Sequence, residues 1–254
     1  MSKVLVIPDI HLKPRMFDRA AAILKSGQAN FAVVLGDLVD DWGQYHNIDL
    51  YELTLNRAIE FAKEFPKTLW CYGNHDLSYI WRMQQSGYSY TAQFTCESGL
   101  KSLYAVICRS SDHNPPMGIV QRVDNVWFSH AGVTEDYALR LVGKNKHKDG
   151  TSWANDEDTI FNFANDDNIH SLWEEDSPVW ARPQDTWKTT EMYKDDKIMQ
   201  VVGHTPMREI TFVDNLLSTD VFSTYQDGTP FGERRFAIVD TEKQSWESAK
   251  EEYE

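Results

Sequence analysis

The sequence predicts an α/β fold, and three observations carry that reading. Short apolar runs rich in β-branched residues alternate with stretches whose apolar positions repeat near the 3.6-residue helical period. The runs in the first half end abruptly in clusters of Asp, His, Asn and Gly. The second half is the more strand-rich of the two, with several short runs joined by turn residues.

Val4 to Ile7 is a continuous apolar run, as expected of a strand buried on both faces. Met16 to Lys25 has a helical pattern that stops near Gly27, and Phe31 to Leu35 repeats the strand signature. Leu53, Leu55, Ala58, Ile59, Ala62 and Phe65 predict a helix over 50–65, and Thr68 to Tyr72 a third strand. Between Leu77 and Gln121 the pattern is weaker, with a helix expected near the start and a loop over 110–118. Val126 to Ser129 reads as a strand, and 134–141 as a helix capped by Thr134. The polar, acidic, Trp-punctuated stretch 143–176 is read as an insertion that forms either helices over the site or a loop. Strands follow at 198–202, 209–213, 216–218 and 236–239. One domain is expected over 1–245, with a solvated tail at 246–254.

The 254 residues are 41% hydrophobic and 25% charged, close to ordinary globular values, which excludes a disordered or collagenous chain. Asp and Glu outnumber Lys and Arg by 39 to 25, and a net charge of -14 repels phosphate backbones and disfavours a general nucleic-acid binder. It leaves a nuclease open, because bound divalent cations invert the local potential. Cys71, Cys96 and Cys108 have no paired spacing, which suits reduced thiols in the cytoplasm. No run has the length of a membrane span or the shape of a signal peptide.

Five polar clusters carry the chemistry: Asp9-Ile10-His11, Gly36-Asp37-Leu38-Val39-Asp40, Gly73-Asn74-His75-Asp76, Ser129-His130-Ala131-Gly132 and Gly203-His204-Thr205-Pro206. Together they supply carboxylate, imidazole and amide groups, the donors that first-row divalent ions prefer. No thiolate takes part, which argues against a structural zinc site. Strand geometry would aim Asp9 and His11, two residues apart, at one ion. Gly36, Gly73 and Gly203 would let the backbone turn and approach closely.

These blocks, in this order over residues 9–206, resemble the calcineurin-like metallophosphoesterases, whose pattern runs D-x-H, G-D-x-x-D, G-N-H-D/E, x-H-x-G and G-H-x-x. The resemblance implies a four-layer αββα sandwich of mixed sheets flanked by helices. It implies two divalent ions, manganese ahead of iron or zinc. Asp9 and His11 would bind the first, Asp37 would bridge, and Asn74, His130 and His204 would bind the second. Catalysis would follow from attack of a metal-bridging hydroxide on a phosphorylated substrate. His75 would protonate the leaving oxygen, held by Asp40, and Asn74 would also face substrate.

GHTP and SHAG look more like the phosphoprotein phosphatase and diadenosine tetraphosphate hydrolase branch than like the diesterases, which carry G-H-x-H where this chain has Pro206. The segment Ser177 to Arg182 resembles that branch as well and makes Arg182 a candidate phosphate clamp. Asp41 and Tyr72 stand where the branch has arginines, so the phosphate pocket is expected to differ. The reading is therefore a phosphatase for phosphomonoesters on phosphoproteins or nucleotides. The alternatives are a phosphodiesterase or dinucleoside polyphosphate hydrolase, and a catalytically silent scaffold of the same fold. Trp42, Tyr45, Trp81 and Trp180 are read as packing residues before base-stacking ones. His46, His113, His147 and His170 carry no assigned role, and the acidic stretches 156–167 and 174–176 are read as solvated faces.

Overall fold

The computed structural model describes residues 2–143, 149–166, 169–184, 190–194 and 196–250. Its first sheet grows from strands β1 (Lys3–Ile7), β2 (Phe31–Val34) and β3 (Leu69–Cys71), which run parallel and are extended by the short β4 (Met117–Gly118). Helices α1 (Arg15–Lys25) and α2 (Ile48–Glu64) make the crossovers between them. Parallel strands need such connections, and the side chains of β1, buried on both faces, explain the unbroken apolar run. The far edge is completed by β10 (Ala237–Asp240), antiparallel to β1, and by β11 (Ser245–Ser248).

The second sheet has the order β5 (Val120–Val123), β6 (Val126–Ser129), β7 (Met199–Val202), β9 (Leu216–Ser218) and β8 (Thr211–Val213). Strands β6, β7 and β9 are parallel, and the outer pairs are antiparallel hairpins. Alternation along its strands separates two cores. Val126, Phe128, Met199 and Val201 join the cluster shared with the first sheet, whereas Trp127 faces a second cluster with Tyr137, Ile160, Leu172 and Tyr193. Each fully buried apolar side chain of this kind contributes about 1.5–3 kcal/mol.

Helices α3 (Asn74–Ile80) and α4 (Gln93–Ser110) follow β3, and α4 packs along α2. On the outer side of the second sheet lie α5 (Glu135–Val142), a 3-10 turn at Trp153–Asn155, α6 (Glu157–Asn165) and α7 (Ile169–Leu172). The result is two mixed sheets face to face with helices outside each, the sandwich expected from the resemblance. Thr134 caps α5, its hydroxyl accepting the Tyr137 N–H at 3.0 Å.

Two expectations need correction. The described part of 143–176 does not lie over the polar clusters. Ile160, Ala164 and Leu172 seat it on the outer face of the second sheet, where it forms the fourth layer. Its acids are partly paired on that layer, Asp158 with Arg122 and Asp176 with Arg140. The tail expected at 246–254 instead begins as β11, since Trp246 pairs across from Val239 and Ala249 is buried. Residues 251–254 and His147 lie outside the described residues. No described helix is long and apolar enough to cross a membrane.

Candidate metal centre

The parallel strands of both sheets end on the same side, so five polar loops converge there. Asp9 and His11 follow β1, Asp37 and Asp40 follow β2, Asn74 and His75 open α3 after β3, and His130 and His204 follow β6 and β7. A bond from His130 Nδ1 to the Leu35 carbonyl, at 3.0 Å, ties the two sheets together at this point.

The approach of Asp9 and His11 is not the strand geometry expected. β1 stops at Ile7, and His11 and Leu12 take left-handed backbone conformations with φ of 41° and 56°. The Ile10 and His11 N–H groups both donate to the Asp37 carbonyl, at 3.0 and 2.8 Å, and this bond pair makes the turn. His11 Nε2 then lies 3.8 Å from Asp9 Oδ2 and 3.6 Å from Asp37 Oδ2. Asp37, Asp40 and His204 are left-handed as well, with φ of 49°, 63° and 62°. Such conformations cost free energy in non-glycine residues and concentrate at functional sites.

Two of the glycines act as expected by close approach. A Cβ on Gly73 would overlap the Asp37 carboxylate, and one on Gly203 would overlap that of Asp9. Asp9 instead accepts the His204 N–H on both oxygens at 3.0 Å, and Asp37 Oδ1 accepts the His75 N–H at 2.9 Å.

The donor set fits a cation. His130 Nε2 lies 2.9 Å from Asn74 Oδ1, 3.0 Å from His204 Nδ1 and 3.2 Å from Asp37 Oδ2. The Leu35 carbonyl calls for the ring proton on Nδ1, so in the neutral ring Nε2 turns a lone pair toward these groups. His11 is oriented in the same way, its Nδ1 2.8 Å from the Asp40 carbonyl and its Nε2 toward the acids. Asn74 Nδ2 donates to Gln85 Oε1 at 2.7 Å, which leaves the amide oxygen for the centre. Asp37 belongs to two groups whose donor atoms lie within 4.8 Å of one another, one with His11 and His75, one with His130 and His204.

The electrostatics match this crowding. Burial alone would raise the Asp37 carboxyl, but the imidazoles of His130, His75 and His11 outweigh it and hold the group far below the carboxylate range. Burial also opposes charge on His130, yet Asp37 and Asp9 raise its imidazole to about 9. His204 is pushed well down by burial, then by His130 and Arg182. His75 is raised because Asp37 and the bond to Asp40 exceed the effect of burial.

His75 Nδ1 stands 2.8 Å from Asp40 Oδ2, which puts the pair inferred from spacing in direct contact. The other Asp40 oxygen accepts the hydroxyls of Tyr51 and Tyr79 at 2.8 and 2.5 Å. These tyrosines were not foreseen, because one comes from α2 and the other from the end of α3. Asp76 was also missed as a contributor. Its carboxylate accepts the N–H groups of Gly73, Asp37 and Leu38 at 3.0, 2.8 and 3.0 Å, binding two loops together. An acid in the first turn of a helix is the signal that marks it.

A cleft of about 250 Å³ opens onto the centre, lined among others by His75, Asn74, Trp42, Trp180, Arg182 and Pro206. Arg182 Nη1 is placed by the His204 carbonyl at 3.3 Å and by Thr205 Oγ1 at 3.4 Å. Asp41, in the position of an expected arginine, pairs with Lys13 at 3.0 Å and accepts the Thr224 hydroxyl. Trp81 and Trp180 pack around Trp173, as expected of packing residues, whereas Trp42 and Tyr45 are half exposed. His46, His113 and His170 are exposed and outside the cleft lining.

No curated protein sequence matches the chain. Among solved structures, the cold-active protein-tyrosine phosphatase of a psychrophilic Shewanella species is similar in fold. It has a TM-score of 0.54 at 16% identity, over 98% of this chain and 81% of that one. A point mutant of a cold-active protein tyrosine phosphatase gives 0.55 at 15% identity, with the same coverage. The family model for calcineurin-like phosphoesterases matches residues 2–234, and the chain therefore belongs to that family of metal-dependent phosphoric ester hydrolases.

Proposed function

We propose that the chain is a phosphatase that hydrolyses phosphomonoesters, on phosphoproteins or nucleotides, with two divalent ions held by Asp9, His11, Asp37, Asn74, His130 and His204. The observation that carries this reading is one cleft in which two donor groups share Asp37 while His75 and Arg182 face the same space. Bound ions, manganese first among manganese, iron and zinc, supply Lewis acidity toward phosphoryl oxygens and acidify coordinated water. The remaining work falls to side chains. Arg182 grips a phosphate oxygen through its guanidinium, and Asn74, oriented by Gln85, borders substrate as well as metal. His75, charged in part through Asp40, delivers a proton to the leaving oxygen.

The Lys13–Asp41 ion pair supports a monoester reading, since it cancels the carboxylate that replaces the branch's arginine and leaves Arg182 to meet a dianionic phosphate. Three cysteines without a disulfide support a cytoplasmic setting. The test is turnover by the manganese-loaded protein of p-nitrophenyl phosphate against its bis-ester, followed by phosphopeptide and nucleotide panels. Faster turnover of the bis-ester would move the chain to the diesterases. Absence of turnover with every divalent metal would make it a scaffold.

A further inference from the structure

Asp220 is a strongly buried acid at this end of the molecule that the reading above leaves without a task. It follows β9 closely, and β9 lies parallel beside β7, so Asp220 arrives next to the turn that carries His204. Two backbone bonds fasten it there. The Thr219 N–H donates to the Val202 carbonyl at 2.8 Å, and the Met207 N–H donates to the Asp220 carbonyl at 2.7 Å.

The residue is 1% exposed. Its Oδ2 accepts the Ser223 hydroxyl at 2.8 Å, whereas Oδ1 is buried and has no hydrogen-bond partner among the described residues. A buried carboxylate oxygen left bare is costly, so the site calls for a positive group. The charges that act on Asp220 are His11, Lys13 and His130, and Asp220 is in turn the strongest acidic influence on Asp9. Lys13 does not relieve it, because its ammonium is bonded to the His11 carbonyl and to Asp41. Asp9 and Asp220 are thus two buried acids, and the charge of Asp220 disfavours that of Asp9. A divalent cation turns that penalty into ligation.

Pro206 offers no donor at the position after His204-Thr205, so no side chain reaches the centre from there. We propose that Asp220 is an additional ligand to the first metal position, reaching it with Oδ1 alongside Asp9, His11 and Asp37. The proposal rests on the two-metal reading and adds a residue that none of the five sequence blocks contains.

Calorimetric titration of the full-length, chelator-treated chain with Mn²⁺, alongside electron paramagnetic resonance, separates the two claims. Wild type takes up two ions. Asp220→Asn keeps one ion at unchanged affinity and binds the other roughly a hundredfold more weakly, at the upper end of what loss of a metal-site contact costs. Two ions at wild-type affinity in Asp220→Asn overturn the role of Asp220 and leave the two-metal reading intact. A wild-type chain that binds no Mn²⁺ overturns both. A crystal structure of the Mn²⁺-loaded wild type keeps the proposal open to refutation if the variant does not fold. An Asp220 Oδ1 to metal distance of about 2.2 Å supports it, and one beyond about 4 Å defeats it.

Discussion

The two halves of the candidate centre are held in different ways. Around His130 the donors are two imidazoles and an amide, each locked from behind: His130 by the Leu35 carbonyl, Asn74 by Gln85, and His204 by its backbone bond to Asp9. Around His11 the donors are mostly carboxylates, reached through a left-handed turn, and the charge of the buried Asp220 acts on both Asp9 and His11. The His130 half is braced by hydrogen bonds from behind, yet His204 Nε2 is buried with no hydrogen-bond partner among the described residues and His130 keeps a proton up to about pH 9. On the other side burial pushes the carboxyls of Asp9 and Asp220 up toward their protonated form, a cost that a bound cation would relieve. A pocket of braced imidazoles and one crowded with acids thus share a single aspartate, Asp37.

Asp37 is where the comparison breaks most severely. Asp37→Asn should remove both ions and bring activity to background, as read by metal analysis and by p-nitrophenyl phosphate turnover. Retention of one ion would mean that the halves are independent. His75→Asn should leave the metal content unchanged and lower turnover of substrates with poor leaving groups by about 10²–10⁴-fold. Equal losses on good and poor leaving groups would remove the proton-donor role.

The imidazole half also gives a pH signature in the metal-free protein. His130 is raised from an ordinary 6.5 to about 9, so its contribution to stability is complete below pH 6.5 and is lost as the pH rises through 9. Thermal melts in chelator should lose a few kcal/mol across that window. The loaded protein should not follow, because the ion replaces the proton. A metal-free melting curve flat from pH 6.5 to 9 would contradict this. At the cleft rim, Arg182→Ala should raise KM by roughly ten- to a hundredfold, as a lost charge-assisted bond does, with kcat less affected. An unchanged KM would return Arg182 to bracing the His204 carbonyl.

Much of this could be read along the chain because each of the six candidate metal ligands lies within four residues of the end of a strand. A buried strand writes an unmistakable apolar run, and the Asp, His or Asn that follows stands out against it. α4 was harder, because its polar and apolar residues mix along 18 positions and its inner face is set by packing on α2. Tyr51 and Tyr79 escaped for a similar reason. Their hydroxyls matter only because two helices bring them to one oxygen of Asp40.

Local periodicity and donor chemistry thus suffice to read the fold class, the order of the strands that end in polar clusters, and the residue types of a metal-binding set. Tertiary structure alone decided the rest. The His11 turn is made by the Asp37 carbonyl, and the described residues of 153–172 lie behind the second sheet because Ala154, Ile160, Ala164 and Leu172 pack there. Asp220 reaches the turn that carries His204 only because β9 pairs with β7, and its charge acts on Asp9 across more than 200 residues of sequence, out of sight of any reading along the chain.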